Sequence, residues 1–137
     1  MSQKFSTQRC VEFSDTDMAG FVHFTNYLRY MEETEYEFLR SLGLSVVMHD
    51  QTGTYGFPRR QSHCEYLFPA RYHQLIRIDL EVTSNDGKLI RYDFQIHHES
   101  TLLTTGYLQV TCVRFPDDKP PYAMLLPAEV IEKIPLC

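Results

Sequence analysis

One stretch alone repeats its apolar side chains at helical spacing, and most of the chain after it alternates apolar with polar residues as strands do. Across residues 26–42, Tyr27, Tyr30, Met31, Thr34, Phe38 and Leu42 recur on one side, while Glu33, Glu37 and Arg40 occupy the other. Thr25 or Asn26 is the predicted N-cap, and Gly43 the predicted stop in the left-handed conformation. Downstream, Ile76, Ile78, Leu80 and Val82 alternate with Arg77, Asp79, Glu81 and Thr83. Ile90, Tyr92, Phe94 and Ile96 repeat the pattern, and Asn85-Asp86-Gly87 between the two runs is a hairpin signal. Residues 5–13 predict a strand that ends in the turn-favouring Ser14-Asp15-Thr16-Asp17. Another strand is predicted over 55–66, a further one at Leu108, Val110 and Cys112, and a short helix over 128–133. One long helix among about five mostly antiparallel strands is an α+β arrangement, and such a helix needs a curved sheet to cover it.

The 137 residues, 43% of them hydrophobic, suffice for one domain with one core, and no linker or repeat divides residues 1–137. A formal charge of -5 lacks the basic balance of a nucleic-acid binder. Cys10, Cys64, Cys112 and Cys137 are widely spaced, which fits reduced thiols better than a disulfide framework or a zinc knuckle. No apolar leader opens the chain and no apolar run is long enough to span a bilayer, so a cytoplasmic protein that needs no membrane is expected.

Chemistry concentrates between Val11 and Tyr27. There a strand delivers a carboxylate, Gly20 bends the chain, and the helix begins just beyond. The first turn of a helix presents unpaired N–H groups that can polarise a carbonyl and hold the oxyanion formed when it is attacked. Phe24 N–H is the candidate donor. Aspartates are ionised at neutral pH, so Asp17 is available to attack a carbonyl directly, or to orient and deprotonate water. Asp15 and Asp17 also suit an Asx turn, the commoner use of Asp before a helix.

These residues resemble the hotdog-fold acyl-CoA thioesterases of the 4-hydroxybenzoyl-CoA thioesterase branch, over nearly the whole chain. The signature Asp-Thr-Asp-x-x-Gly runs from Asp15 to Gly20, followed by Phe21-Val22, Asn26-Tyr27 and the acidic Glu32. A second similarity is Glu65-Tyr66-Leu67-Phe68-Pro69-Ala70-Arg71-Tyr72. The resemblance implies a long central helix wrapped by a curved antiparallel sheet, a homodimer or homotetramer with active sites between subunits, and no cofactor. It places the catalytic carboxylate on Asp17 and the oxyanion donor near Phe24. Many relatives carry Tyr-His where this chain has His23-Phe24, so the aligned position here lacks an imidazole.

The expected substrate is a small or medium acyl-CoA. Gly20, His23 and Tyr27 stand where substrate would be met, although Tyr27 also fits the core. Glu32 is a candidate at the acyl pocket, with a solvated carboxylate as the plainer role. Arg59, Arg60, Lys88 and Arg91 are candidates for the phosphates of coenzyme A, with ordinary surface charge the alternative for each. No spacing of Asp, His and Cys predicts a metal site. Two rival functions fit the same residues: a non-catalytic module that binds acyl thioesters, and a thioesterase acting on acyl-carrier protein.

Overall fold

In the computed structural model, which describes residues 2–137, the alternating runs become strands and the helical run becomes the principal helix. The order is β1 (Lys4–Cys10), a 3-10 turn (Phe13–Asp15), α1 (Thr25–Ser41), β2 (Val47–His49), β3 (Thr54–Gly56), β4 (Arg59–Tyr66), β5 (Leu75–Asn85), β6 (Leu89–His98), β7 (Thr101–Thr111), β8 (Val113–Arg114), β9 (Tyr122–Ala123) and α2 (Ala128–Lys133). A five-stranded antiparallel sheet has the order β1-β5-β6-β7-β4, and β2-β3-β8-β9 form a smaller one.

Alternation explains which face each strand buries. Ile76, Ile78, Leu80 and Val82 of β5, and Ile90, Tyr92, Phe94 and Ile96 of β6, are all buried. Against this layer α1 sets Tyr27, Tyr30, Met31 and Phe38, with the Phe38 ring 6.0 Å from Tyr92 and 5.7 Å from Phe5 of β1. Each such side chain contributes about 1.5–3 kcal/mol relative to exposure. Gly43, at φ +76, ends the helix, and Leu44 N–H donates back to Leu39 O at 2.8 Å.

Three expectations are corrected. The described residues hold nine strands in two sheets rather than about five in one. The run 55–66 is not one strand, because the chain breaks at Phe57-Pro58 and sends β3 and β4 to different sheets; Pro58 has no N–H for a ladder. Finally, Phe24 rather than Thr25 or Asn26 takes the N-cap position, with no side-chain cap. Both expected caps are engaged elsewhere: Thr25 Oγ1 lies 2.7 Å from His23 Nδ1, and Asn26 Nδ2 donates to Asp15 O at 2.7 Å.

Candidate active site at the start of helix α1

Residues 16–22 fold back on themselves as a tight hairpin. Thr16 bridges Val22, Asp17 N–H donates to Phe21 O at 2.8 Å, and Gly20 N–H donates to Asp17 O at 3.0 Å. Gly20 has φ +84, a conformation that side-chain-bearing residues rarely adopt. The exposed Asp17 carboxylate curls into this turn, where its Oδ1 accepts from Ala19 N–H (2.9 Å) and Phe21 N–H (3.3 Å). Its Oδ2 meets no donor among the described residues. Backbone donors thus fix the side chain and leave one oxygen free for other chemistry.

A second set of contacts ties the hairpin to the body. Val22 N–H donates to Ala70 O at 2.9 Å, and Ala70 N–H donates to the Tyr27 hydroxyl at 3.2 Å. Burial raises the Tyr27 hydroxyl above its ordinary pKa, against the Ala70 N–H, and the negative charge of Asp17 adds to the rise. Asp17 therefore lies within electrostatic reach of the first turn of α1.

Just beside this, Phe24 N–H meets no acceptor among the described residues, as expected for the start of a helix. Phe24 is 59% exposed, and Tyr66 O–H donates to Phe24 O at 3.3 Å. Val22, Phe24, Tyr27, Tyr66, Leu67, Phe68 and Pro69 line an apolar cavity of about 220 Å³. Asp17 is not part of that lining, but Tyr27 belongs to the cavity wall and feels the Asp17 charge. Hence Asp17, Gly20, His23, Phe24 and Tyr27 are gathered at one end of α1, whereas the other expected site residues are not. Tyr66 and Phe68 were missed as site residues; their only sequence signal was the aromatic run at 65–72.

Glu32 lies about 10 Å further along the helix, half exposed, with Arg59 Nη2 at 3.5 Å. Arg59 and Arg91 are not free cations. Arg91 pairs with Asp93 at 2.9 Å and lies 3.9 Å over the Tyr107 ring. Arg59 reaches the fully buried Glu35, approaching to 2.6 Å but out of line for a hydrogen bond; the aligned contact, from Nη1, is 3.4 Å. Arg60 and Lys88 are exposed and make no ion pair among the described residues.

Burial pushes the Glu35 carboxyl up to about 7 although Arg59 opposes it. The native state therefore holds this proton more tightly than the unfolded chain, whose value is near 4.5. The resulting stability is complete below about pH 4.5 and is lost as pH rises through about 7. At 1.36 kcal/mol per unit this amounts to roughly 3 kcal/mol. Urea unfolding from pH 5 to 8 should show that fall in the wild type and a flatter curve in Glu35→Gln. Parallel curves would mean that Glu35 does not set the slope.

Residues 11–133 match the thioesterase-like superfamily. The chain belongs to that superfamily. Among its relatives, the acyl-CoA thioester hydrolase YbgC of Escherichia coli O157:H7 is 31% identical over 106 residues, spanning 75% of this chain and 77% of that one. Two solved structures share the fold. A 1,4-dihydroxy-2-naphthoyl-CoA thioesterase from Synechocystis superposes with a TM-score of 0.82 at 24% identity, covering 96% of each chain. The 4-hydroxybenzoyl CoA thioesterase from Pseudomonas sp. strain CBS-3 gives 0.80 at 17% identity, covering 95% of this chain and 98% of that one. The resemblance read from Asp15–Gly20 and from 65–72 is thus borne out at the level of family and hotdog fold. Among the described residues, no helix is long and apolar enough to cross a membrane.

Proposed function

We propose that the protein is an acyl-CoA thioester hydrolase that cleaves a small or medium acyl group with Asp17 as its essential carboxylate. The observation that carries this reading is the acceptor-free N–H of Phe24, a residue lining an apolar cavity, together with an Asp17 carboxylate held by two backbone donors and within electrostatic reach of Tyr27 in the cavity wall. An acyl group in the cavity brings its thioester carbonyl to the helix start, where Phe24 N–H donates to the oxygen and stabilises the negative charge that develops there. The carbonyl carbon then accepts the attack of the free Asp17 oxygen, forming an anhydride that water later hydrolyses, or of a water that Asp17 deprotonates. In either route the C–S bond breaks and coenzyme A leaves as a thiolate that solvent protonates. Gly20 and His23, which lie between Asp17 and Phe24 in the chain, are assigned to substrate contact.

Two copies joining along β4 complete this picture. This strand closes one side of the sheet, pairs only with β7 among the described residues, and is exposed along most of its length. A row of unpaired N–H and C=O groups is a template for a second copy, and such pairing would bring Glu32, beside β4, toward the partner's acyl group. Of the four candidate phosphate contacts, Arg60 and Lys88 are retained. Both lie at the same end of the sheet, since Arg59, Val110 and Ile90 share one row across β4, β7 and β6. Loss of either cation should raise KM about fivefold, the equivalent of roughly 1 kcal/mol, with kcat unchanged and the effect fading at high salt. The four unpaired cysteines fit a cytoplasmic location.

Thiol release from a panel of aromatic and aliphatic acyl-CoAs, beside the same groups on acyl-carrier protein, tests the proposal. Sustained turnover of at least one CoA ester is expected. Binding without turnover across the panel would leave a non-catalytic module, and cleavage confined to the carrier-bound esters would replace coenzyme A with a protein partner.

A further inference from the structure

Asp15 is 1% exposed, yet it is surrounded by more donors than a turn requires. Its carboxylate accepts from Tyr30 O–H at 2.8 Å and from Glu12 N–H at 3.0 Å, binds the Arg29 guanidinium, and has Arg9 Nη2 at 3.6 Å. Glu33, which meets both Arg9 and Arg29, completes the charges around it. Burial alone would raise the Asp15 carboxyl, but the bonds from Glu12, Tyr30 and Arg29 outweigh it and hold the group below its ordinary pKa. A buried carboxylate is tolerated only when so fully paired. An Asx turn does not need two arginines and a buried tyrosine.

The main chain of the same residue does a second job. Asp15 O accepts from His23 N–H at 2.9 Å and from Asn26 Nδ2 at 2.7 Å. Asp15 therefore grips both ends of the segment 16–22, whose start it precedes and whose end leads into Phe24. Its side chain anchors that base to β1 through Arg9 and to α1 through Arg29 and Tyr30. Asp17 sits two residues on, inside the loop so closed.

We propose that Asp15 is a positioning residue, which sets the distance and angle between the Asp17 carboxylate and the Phe24 N–H. This rests on the reading of Asp17 as the carboxylate that acts on substrate. Small misplacements of a reacting group are costly to rate even where binding persists, so the effect belongs in kcat rather than KM. Asp15→Asn keeps the shape but loses the charge that holds Arg29 and Arg9. Tyr30→Phe removes one donor and leaves the ring in the core.

Kinetics of thiol release by the full chain test this in a cycle with Asp17→Glu, which keeps a carboxylate but moves it by one methylene. Asp15→Asn should lower kcat about tenfold or more with KM little changed, and should cost little further in the Asp17→Glu background, where the alignment is already lost. Tyr30→Phe should show a smaller loss with the same dependence on Asp17, and it carries the test if Asp15→Asn does not fold. An equal fold-loss in both backgrounds, or a change confined to KM, would overturn the positioning role. Wild-type kcat in Asp15→Asn together with inactivity of Asp17→Asn would overturn that role alone. Full activity of Asp17→Asn would instead remove the underlying assignment, and the positioning role with it.

Discussion

Asp17→Asn should lower kcat for thiol release by about a thousandfold while the protein melts within a few degrees of the wild type. The substitution is nearly isosteric, and the amide oxygen can still accept from Ala19 and Phe21 N–H, so the hairpin has no reason to open. What disappears is the charge. An amide neither attacks a thioester carbonyl at a useful rate nor takes a proton from water. Asp15, the carboxylate nearest in sequence, is buried and bound to Tyr30, Glu12 and Arg29. Steady-state assays and a circular-dichroism melt check the two halves of the expectation. A variant within tenfold of wild-type kcat would remove Asp17 from the chemistry.

Gly106→Val should destabilise the protein by about 3 kcal/mol or more, near the top of the range for overpacking. Gly106 lies in β7 between Phe94 of β6 and Cys64 of β4. A Cβ added there would overlap the His63 carbonyl oxygen and come within 3.1 Å of Met31 Cε. Met31 is a flexible side chain that can withdraw, but the carbonyl is backbone of the neighbouring strand and cannot. Relief requires β4 to part from β7, which would expose the core beneath α1 and disturb the edge proposed to pair with a second copy. A fall of roughly 10 °C in melting temperature is expected for a domain of this size, with a shift toward monomer in sedimentation. A melting temperature equal to that of the wild type would show that the strands can accommodate the extra methyl groups.

Those two residues also mark what local pattern reveals and what it hides. Hairpin, principal helix and α2 were legible because each is written in adjacent residues: alternation on both sides of Asn85-Asp86-Gly87, three-to-four spacing before Gly43, and a final amphipathic turn at Ala128–Lys133. The three-residue strand β2 carries too little alternation to be read, and β3 was merged with β4 because the break at Phe57-Pro58 lies inside one run bounded by tyrosines. Charge partners were the other gap. Arg59 looked available for phosphate because Glu35, which engages it, is 24 positions away and sits on a helix face that spacing did not mark as buried. Asp15 was legible as a loop residue, but the convergence of Arg9, Arg29 and Tyr30 on it depends on how β1 meets α1. Topology, not composition, sets such encounters.

A crystal structure with an acyl-CoA whose thioester sulfur is replaced by methylene tests the central claim most directly, since this ligand keeps the carbonyl and resists hydrolysis. The expected result is a carbonyl oxygen about 3 Å from Phe24 N, with the Asp17 carboxylate facing the carbonyl carbon from the other side, directly or through one water. An acyl group bound elsewhere, or a carbonyl turned away from both Phe24 N–H and Asp17, would contradict it.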